Sequence, residues 1–360
     1  MKTVRRFSWS KFLLFLLILI ILLFLILVGV YKLETGPVSS NTDPKLVTIE
    51  KGDNFFNISK KLKKQNLIKS ETFYKLYIKF AKPSGLTVGD FELNEAMSTQ
   101  EVVKVLSNKN NQKIDEVKLT FREGLNIPAV AKIVEEKTEI SSNDFIDKIT
   151  DIEFIKSLQK DYWFLTDSIF DERIYYPLEG YLFPDTYHFE RKKMDAETII
   201  KKMLDNTAEK LETYKSQIES NKYNIHELLT VASLVEQEAV TKEDRALVAG
   251  VFYNRLNSNM SLGSDVTTYY AAKKTLKDTL TKEELDDCNG YNTRCVTMKG
   301  LPVGPISNVS ITSVEAAITP TNNDYYYFVA DTDRKVYFNK TLSEHNQTIS
   351  KLKSEGKWAA

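Results

Sequence analysis

The chain has 360 residues, with 49 Lys and Arg against 49 Asp and Glu and a formal net charge of +0. That balance gives no bulk electrostatic footprint for nucleic acid or for acidic lipid. The three histidines, His188, His226 and His345, stand far apart without metal-ligand spacing, so neither a metal nor another cofactor is expected.

Phe12–Val30 is apolar throughout, with Gly29 its one small interruption. As a helix it would rise roughly 28 Å, close to a hydrocarbon core of about 30 Å. Lys2, Arg5, Arg6 and Lys11 precede it with no acid among them. The positive-inside rule therefore puts residues 1–11 in the cytoplasm, residues 12–31 across the plasma membrane as a single span, and the rest outside. The rival reading is a cleaved signal peptide. Its apolar stretch would usually be about 7–15 residues, followed by a small-x-small site. Tyr31-Lys-Leu-Glu34 makes a poor cleavage site, which favours the anchor. Gly36–Pro44 is rich in turn residues and lies within a linker over residues 32–45.

An internal repeat follows. Val47-Thr-Ile-Glu-Lys-Gly52 matches Leu119-Thr-Phe-Arg-Glu-Gly124 at an offset of 72 residues. At that offset Ile58 aligns with Val130, Leu62 with Val134, Ser70 with Ser142 and Phe73 with Phe145. Each copy reads as strand, glycine turn and amphipathic helix, with Pro128 near the start of the second helix. Leu86–Leu93 reads as a hairpin around Gly89-Asp90, and Ser98-Thr-Gln-Glu101 as a capping box opening a helix to Leu106. The first copy, within residues 46–110, resembles a LysM module, a βααβ unit that binds N-acetylglucosamine polymers; a structural spacer of that shape is the alternative. Residues 115–170 form a second or connecting module.

Residues 171–352 are expected to form an α+β domain. Tyr176–Tyr187 is dense in aromatics and turn residues. Asn224 with Glu227 forms a capping box for a helix from Ile225 to about Val240, and Thr241 with Asp244 opens a second helix to about Leu256. On a helical wheel Ile225, Leu228, Ala232, Val235 and Ala239 share an apolar arc; Glu236 falls inside it and Glu238 on its shoulder. A carboxyl on an apolar face either pairs with a cation such as Arg245 or Arg255, or has a raised pKa suited to a general acid. Tyr325–Ala330 and Val336–Phe338 read as two strands. Cys288 and Cys295 close a short loop, as a disulfide or as two free thiols.

Several segments together resemble one family. Val231-Ala-Ser-Leu-Val-Glu-Gln-Glu-Ala239, Val251-Phe-Tyr-Asn-Arg-Leu256 and Ser264-Asp-Val-Thr267 are similar to the catalytic core of the YceG/MltG-type endolytic murein transglycosylases. So are Leu182–Tyr187, Gly300–Ile306, Tyr327–Asp331 and Lys340–Asn346. The resemblance implies a membrane-anchored lytic transglycosylase that cleaves the MurNAc–GlcNAc bond of peptidoglycan and leaves 1,6-anhydroMurNAc ends. It places the catalytic acid on Glu238, with Glu236 as the alternative that the wheel prefers. It suggests Asn254, Asp265, Thr267, Gly304, Asn308, Asp185 and Tyr187 along the sugar groove, with Tyr181 or Phe183 stacking on a ring or packing in the core. It implies peptidoglycan glycan strands as substrate and cell-wall synthases, including penicillin-binding proteins, as partners. Val266 and Val303 depart from positions where the family usually has Pro. Two rivals remain at this stage: a non-enzymatic peptidoglycan-binding scaffold, and a hydrolytic muramidase using a second carboxylate such as Asp265.

Overall fold

The structure is a computed structural model that describes residues 9–113, 115–295 and 297–358. Residues 1–8 of the basic segment read as cytoplasmic lie outside the described residues. The chain divides into two compact units, residues 1–115 and 116–360, and the whole is a mixture of helices and antiparallel strand pairs.

In the first unit, α1 (Trp9–Thr35) contains the apolar run and buries none of its residues. It is long and apolar enough to cross a membrane. β1 (Lys45–Ile49) is followed by α2 (Ser59–Lys64), α3 (Glu71–Ala81), β2 (Gly89–Leu93) and α4 (Thr99–Leu106). Ser70 caps α3 by accepting from the Phe73 amide, and Ser98 with Glu101 forms the capping box of α4. The hairpin expected over Leu86–Leu93 does not form. Only Gly89–Leu93 is extended, and it pairs antiparallel with β1, placing Val47 opposite Phe91. That pairing lets Val47, Ile49, Phe91 and Leu93 share one buried face with Leu62 and Tyr74, which a local hairpin could not supply.

The second unit begins with β3 (Glu116–Thr120), α5 (Ile127–Lys137), α6 (Ser142–Thr150) and α7 (Ile152–Leu158). The two copies of the repeat, one in each unit, share a positive-φ glycine after the strand, Gly52 at +102° and Gly124 at +76°. The copies differ in partner. β3 pairs with β4 (Thr186–Glu190), Leu119 opposite Tyr187, so the second copy builds its core with residues far along the chain.

Then come α8 (Ala196–Glu212), α9 (Lys215–Glu219), α10 (Ile225–Glu238), α11 (Lys242–Asn257), α12 (Asp265–Ala271), α13 (Lys282–Asp286) and α14 (Ile311–Ile318). The antiparallel pair β5 (Tyr327–Ala330) and β6 (Val336–Asn339) precedes α15 (Leu342–Ser354). α10 is the centre of this unit. Asn224 and Glu227 make its capping box, and every residue from Ile225 to Val235 except Glu227 is buried. A helix apolar on so many sides must be covered all round. The exceptions, Glu236, Gln237 and Glu238, fall in its last turn.

Two glycines permit close approaches that shape the surroundings. Gly180 has φ +82°, and a Cβ there would sit 2.5 Å from Pro305 Cβ. A Cβ on Gly250 of α11 would lie 2.4 Å from the Thr321 carbonyl. The first lets the aromatic segment meet the Pro-rich 300s; the second lets residues 321–325 dock on α11.

Glu179 is buried beside that first contact. It accepts from the Ile127 amide at 3.0 Å, at the start of α5, and from Tyr270 Oη at 3.0 Å. Burial pushes its carboxyl up to about 8, against those two hydrogen bonds. The folded protein therefore holds this proton at pH values where the unfolded chain, with an ordinary carboxyl near 4.5, has lost it. Stability from this group is full below about pH 4.5 and declines as pH rises toward 8. Glu179→Gln should flatten the fall in unfolding free energy between pH 5 and 8, measured by urea denaturation of the full chain in detergent.

Candidate active site

The last turn of α10 carries two carboxylates with opposite surroundings. Glu236 is almost fully enclosed and pairs with Arg245 of α11, Oε1 to Nη2 2.7 Å. Its other oxygen accepts from the Ser310 amide at 2.9 Å and the Ser310 hydroxyl at 2.6 Å, at the N-cap of α14. Arg245 also donates to Ser310 Oγ, to Thr312 Oγ1 and to the Ala239 carbonyl. Both oxygens of Glu236 are thus engaged, and its charge lies at the positive end of α14.

Glu238 is half-buried and has one direct side-chain partner, Ser264, whose Oγ donates to Oε1 at 2.6 Å. Burial raises its pKa above the ordinary carboxyl range, while the Ser264 hydrogen bond and the Arg255 charge pull it down. Its place at the C-terminus of α10 also disfavours the ionised form. Ser264 is the N-cap residue of α12 but makes no side-chain cap. A capping serine normally spends its hydroxyl on its own helix; this one is turned to Glu238 instead.

Arg255 is fixed from several sides. Nε donates to the Tyr326 carbonyl at 2.6 Å and Nη1 to the Leu262 carbonyl at 2.6 Å. Its guanidinium lies 5.1 Å from the Tyr327 ring centre, and the His345 ring stacks on that same tyrosine, ring centres 5.4 Å apart. Burial and the Arg255 charge lower the His345 pKa, so this ring is neutral near pH 7. The segments Val251–Leu256, Tyr327–Asp331 and Lys340–Asn346 therefore meet around Arg255, whose charge acts on Glu238, while Ser264–Thr267 reaches the same carboxyl through the Ser264 hydroxyl.

Gln237, between the two glutamates, donates to the Gly124 carbonyl at 2.8 Å. The Gly124 amide in turn donates to the Asn308 carbonyl, and the Asn308 amide to the Leu125 carbonyl. The glycine turn of the second repeat is thus tied to the end of α10. A cleft of about 260 Å³ opens here, lined by Gln237, Val266, Tyr269, Tyr270, Leu125 and Asn126 among others. A larger cavity of about 660 Å³ lies against the Cys288–Cys295 disulfide, and Glu238 lines neither of the two.

The other residues singled out from sequence have varied positions. Asn254 donates to the carbonyls of Asn323 and Tyr325, both at 2.9 Å, and holds the docked 321–325 segment. Thr267 is buried, donating to the Ser264 carbonyl at 2.6 Å. Asp265 is exposed and paired with Arg294. Gly304 packs on His226, and Asn308 accepts from the Leu182 amide at 3.1 Å. Asp185 and Tyr187 meet at Asn206, which donates to both, on the β3–β4 side. Tyr181 is buried and bonds His226, while Phe183 is half-buried. Asp265 and Thr267 flank the Ser264–Glu238 contact; Asn254 shares a helix with Arg255; Asp185 and Tyr187 belong to a separate cluster. Sequence reasoning named Arg255 only as a possible cation for a glutamate and did not single out Ser264 or Tyr327. Their signal was present only as membership of the quoted motifs, since no local periodicity marks a serine that declines to cap its helix.

Known proteins resemble this chain over most of its length. A sequence profile described as the YceG-like family matches residues 47–351. An endolytic murein transglycosylase of Bacillus subtilis (strain 168) is 39% identical over 306 residues, 85% of this chain and 84% of that protein. An endolytic murein transglycosylase of Streptococcus pneumoniae serotype 2 is 33% identical over 329 residues, 87% of this chain and 59% of its own length. The 2.6 Å crystal structure of a yceG-like protein from Listeria monocytogenes superimposes with a TM-score of 0.61 at 34% identity, covering 86% of this chain and all of that one.

The buried Glu236–Arg245 pair sets a stability test. Arg245→Met strands a buried carboxylate and three polar groups, and should cost about 3–5 kcal/mol. Urea unfolding monitored by circular dichroism reads this directly, and a loss well below 1 kcal/mol would contradict it.

Proposed function

This chain belongs to the YceG-like family, and on that premise we propose that it is an endolytic murein transglycosylase with Glu238 as its catalytic acid. The substrate is the glycan strand of peptidoglycan. Cleavage of the MurNAc–GlcNAc bond inside the strand leaves a 1,6-anhydroMurNAc end, and so releases or terminates nascent strands.

The observation that carries this reading is the division of labour in the last turn of α10. Glu236 is neutralised by Arg245 and Ser310, whereas Glu238 has one hydroxyl partner and a raised pKa. One carboxyl that burial makes a weaker acid than usual, beside one that is committed elsewhere, suits a reaction that needs a single acid. In such a reaction the Glu238 proton goes to the departing glycosidic oxygen as the C1–O bond breaks. The C6 hydroxyl of the same sugar forms the new bond to C1, and its proton returns to the Glu238 carboxylate. The tethered nucleophile has a high effective molarity, so neither water nor a second carboxylate is required. Asp265, the nearest alternative for a hydrolytic second carboxylate, is paired with Arg294.

Around this centre, Asn254, Asp265, Thr267, Gly304 and Asn308 are read as the residues that shape and support the glycan groove. Asp185 and Tyr187 are read as a more distant part of the same surface. The β1-α2-α3-β2 order of the first unit, with its strands antiparallel, supports a LysM-like reading and a role in holding glycan. The basic residues ahead of α1 support a single-pass plasma-membrane protein with its N-terminus cytoplasmic. A protein cutting nascent strands at that membrane would work beside the synthases that make them, including penicillin-binding proteins.

Purified sacculi incubated with the full chain in detergent should yield anhydro ends detectable by mass spectrometry. Glu238→Gln should lower their initial rate by at least about 100-fold. The rate should fall on the alkaline side, because the acid form of Glu238 is lost as pH rises through its raised pKa. Reducing ends would indicate a hydrolase, and sacculus binding without any product a scaffold. Full activity in Glu238→Gln, with none in Glu236→Gln, would reassign the acid.

A further inference from the structure

Ser264 can face Glu238 only if something else fixes its backbone, because its hydroxyl does not cap α12. That support comes from one buried threonine about thirty residues on. Thr293 is 1% exposed. Its Oγ1 accepts from the Ser264 amide at 3.0 Å, and its carbonyl accepts from the Gly263 amide at 3.1 Å and from the Ser261 hydroxyl. Its amide donates to Thr267 Oγ1 at 3.1 Å.

The protons can be assigned. Thr267 Oγ1 donates to the Ser264 carbonyl at 2.6 Å, so its only hydrogen is spent. With that hydrogen spent, the Thr293 hydroxyl is the donor in the 2.8 Å contact between the two threonines, and it also lies 3.4 Å from the Ser264 carbonyl as a second acceptor. Thr293 thus uses its hydroxyl as acceptor for the Ser264 amide and as donor toward Thr267 and the Ser264 carbonyl. Both backbone groups of Ser264 are held by this pair, which leaves its side chain free to turn outward to Glu238.

Thr293 is itself firmly placed. It lies inside the loop closed by the Cys288–Cys295 disulfide. The neighbouring Asn292 is fully buried and spends its amide on the carbonyls of Leu285 and Asp287, while accepting from Thr268 and from the Arg294 amide. The Cys295 amide closes the turn onto the Asn292 carbonyl at 3.2 Å. None of the readings above gives the 288–295 loop a role.

We propose that Thr293 is a positioning residue for the Glu238 carboxyl, acting through Ser264. The inference rests on Glu238 being the acid of the reaction proposed above. The charged groups around that carboxyl are few. α11 contributes Arg255, which acts on Glu238 directly. α12 contributes Asp265, which is paired with Arg294 from the threonine loop itself. On α10 and at the start of α14, Glu236 is held by Arg245 and Ser310, with Glu123 facing that pair. None of these charges touches Thr293, so a change there should reach Glu238 through the serine.

The test uses the full chain in detergent, with isolated uncrosslinked glycan strands as substrate, and reads the initial rate of anhydro-end formation against pH. In Thr293→Val the Ser264 amide loses its acceptor and the serine loses its fixed direction. The rate at neutral pH should drop about 10- to 100-fold. The alkaline limb should move to higher pH, because the Ser264 hydrogen bond that lowers the Glu238 pKa is weakened. Thr293→Ser keeps the hydroxyl and should restore both. Ser264→Ala should move the limb in the same direction, and the Ser264→Ala/Thr293→Val double variant should move it no further. If Thr293→Val does not fold, Thr293→Cys carries the comparison with an intermediate shift of the limb. Thr293→Val, or Thr293→Cys in its place, with the parental limb, or effects at Ser264 and Thr293 that add, would overturn the proposal. That failure is separate from failure of the acid assignment, which Glu238→Gln alone decides.

Discussion

One buried cation organises the end of the central helix. Arg245 reaches Glu236, the α10 terminal carbonyl of Ala239 and the hydroxyls of Ser310 and Thr312 at the start of α14. Taking a guanidinium and a carboxylate out of water costs several kcal/mol unless their remaining hydrogen-bonding sites are filled. Here they are filled by the ends of two helices. The pair therefore fixes where α10 stops, where α11 begins and how α14 meets both.

The chemistry of the neighbouring carboxyl follows from that arrangement. Because Arg245 is saturated by Glu236 and its hydroxyl partners, Glu238 is left with a neutral hydrogen bond and the more distant charge of Arg255. Two carboxylates of one helical turn thus sit in different surroundings, Glu236 ion-paired with Arg245 and Glu238 bonded to a neutral hydroxyl, the pattern that separates a structural carboxylate from a candidate acid. The Arg255–Tyr327–His345 row extends the same logic outward. Its aromatic rings hold the guanidinium by cation–π and stacking contacts, and the backbone carbonyls of Leu262 and Tyr326 set its direction.

Much of the scaffold was legible in the sequence because it is local. The Asn224–Glu227 and Ser98–Glu101 capping boxes start helices where the pattern put them. The two strands of the β5–β6 pair and the glycine turns of the repeat are where composition and periodicity indicated. The expected hairpin at Gly89 failed for a physical reason. Local turn chemistry was present, but the strand's apolar alternation found a better-matched partner in β1. The site was less legible. The helical wheel preferred Glu236 because it lies on the apolar arc, and the arc cannot tell whether a buried carboxyl meets a cation. Asn254, Thr267 and Asn308, polar residues in suggestive motifs, spend their hydrogen bonds on protein backbone.

The sequence by itself determined the apolar N-terminal helix, the capped helices α10 and α11, the duplicated strand-turn-helix and the family to which the motifs belong. Each of these is written in residues close together, as a periodicity, a cap or an ordered motif. Only the tertiary structure decided which glutamate Arg245 neutralises, that Ser264 faces Glu238 instead of capping its helix, and that Thr293 holds it there. Those choices depend on partners between nine and seventy-four residues apart, from Arg245–Glu236 to Ser310–Glu236. A hydrogen bond or ion pair at such separation is fixed by packing and burial, which no local pattern encodes.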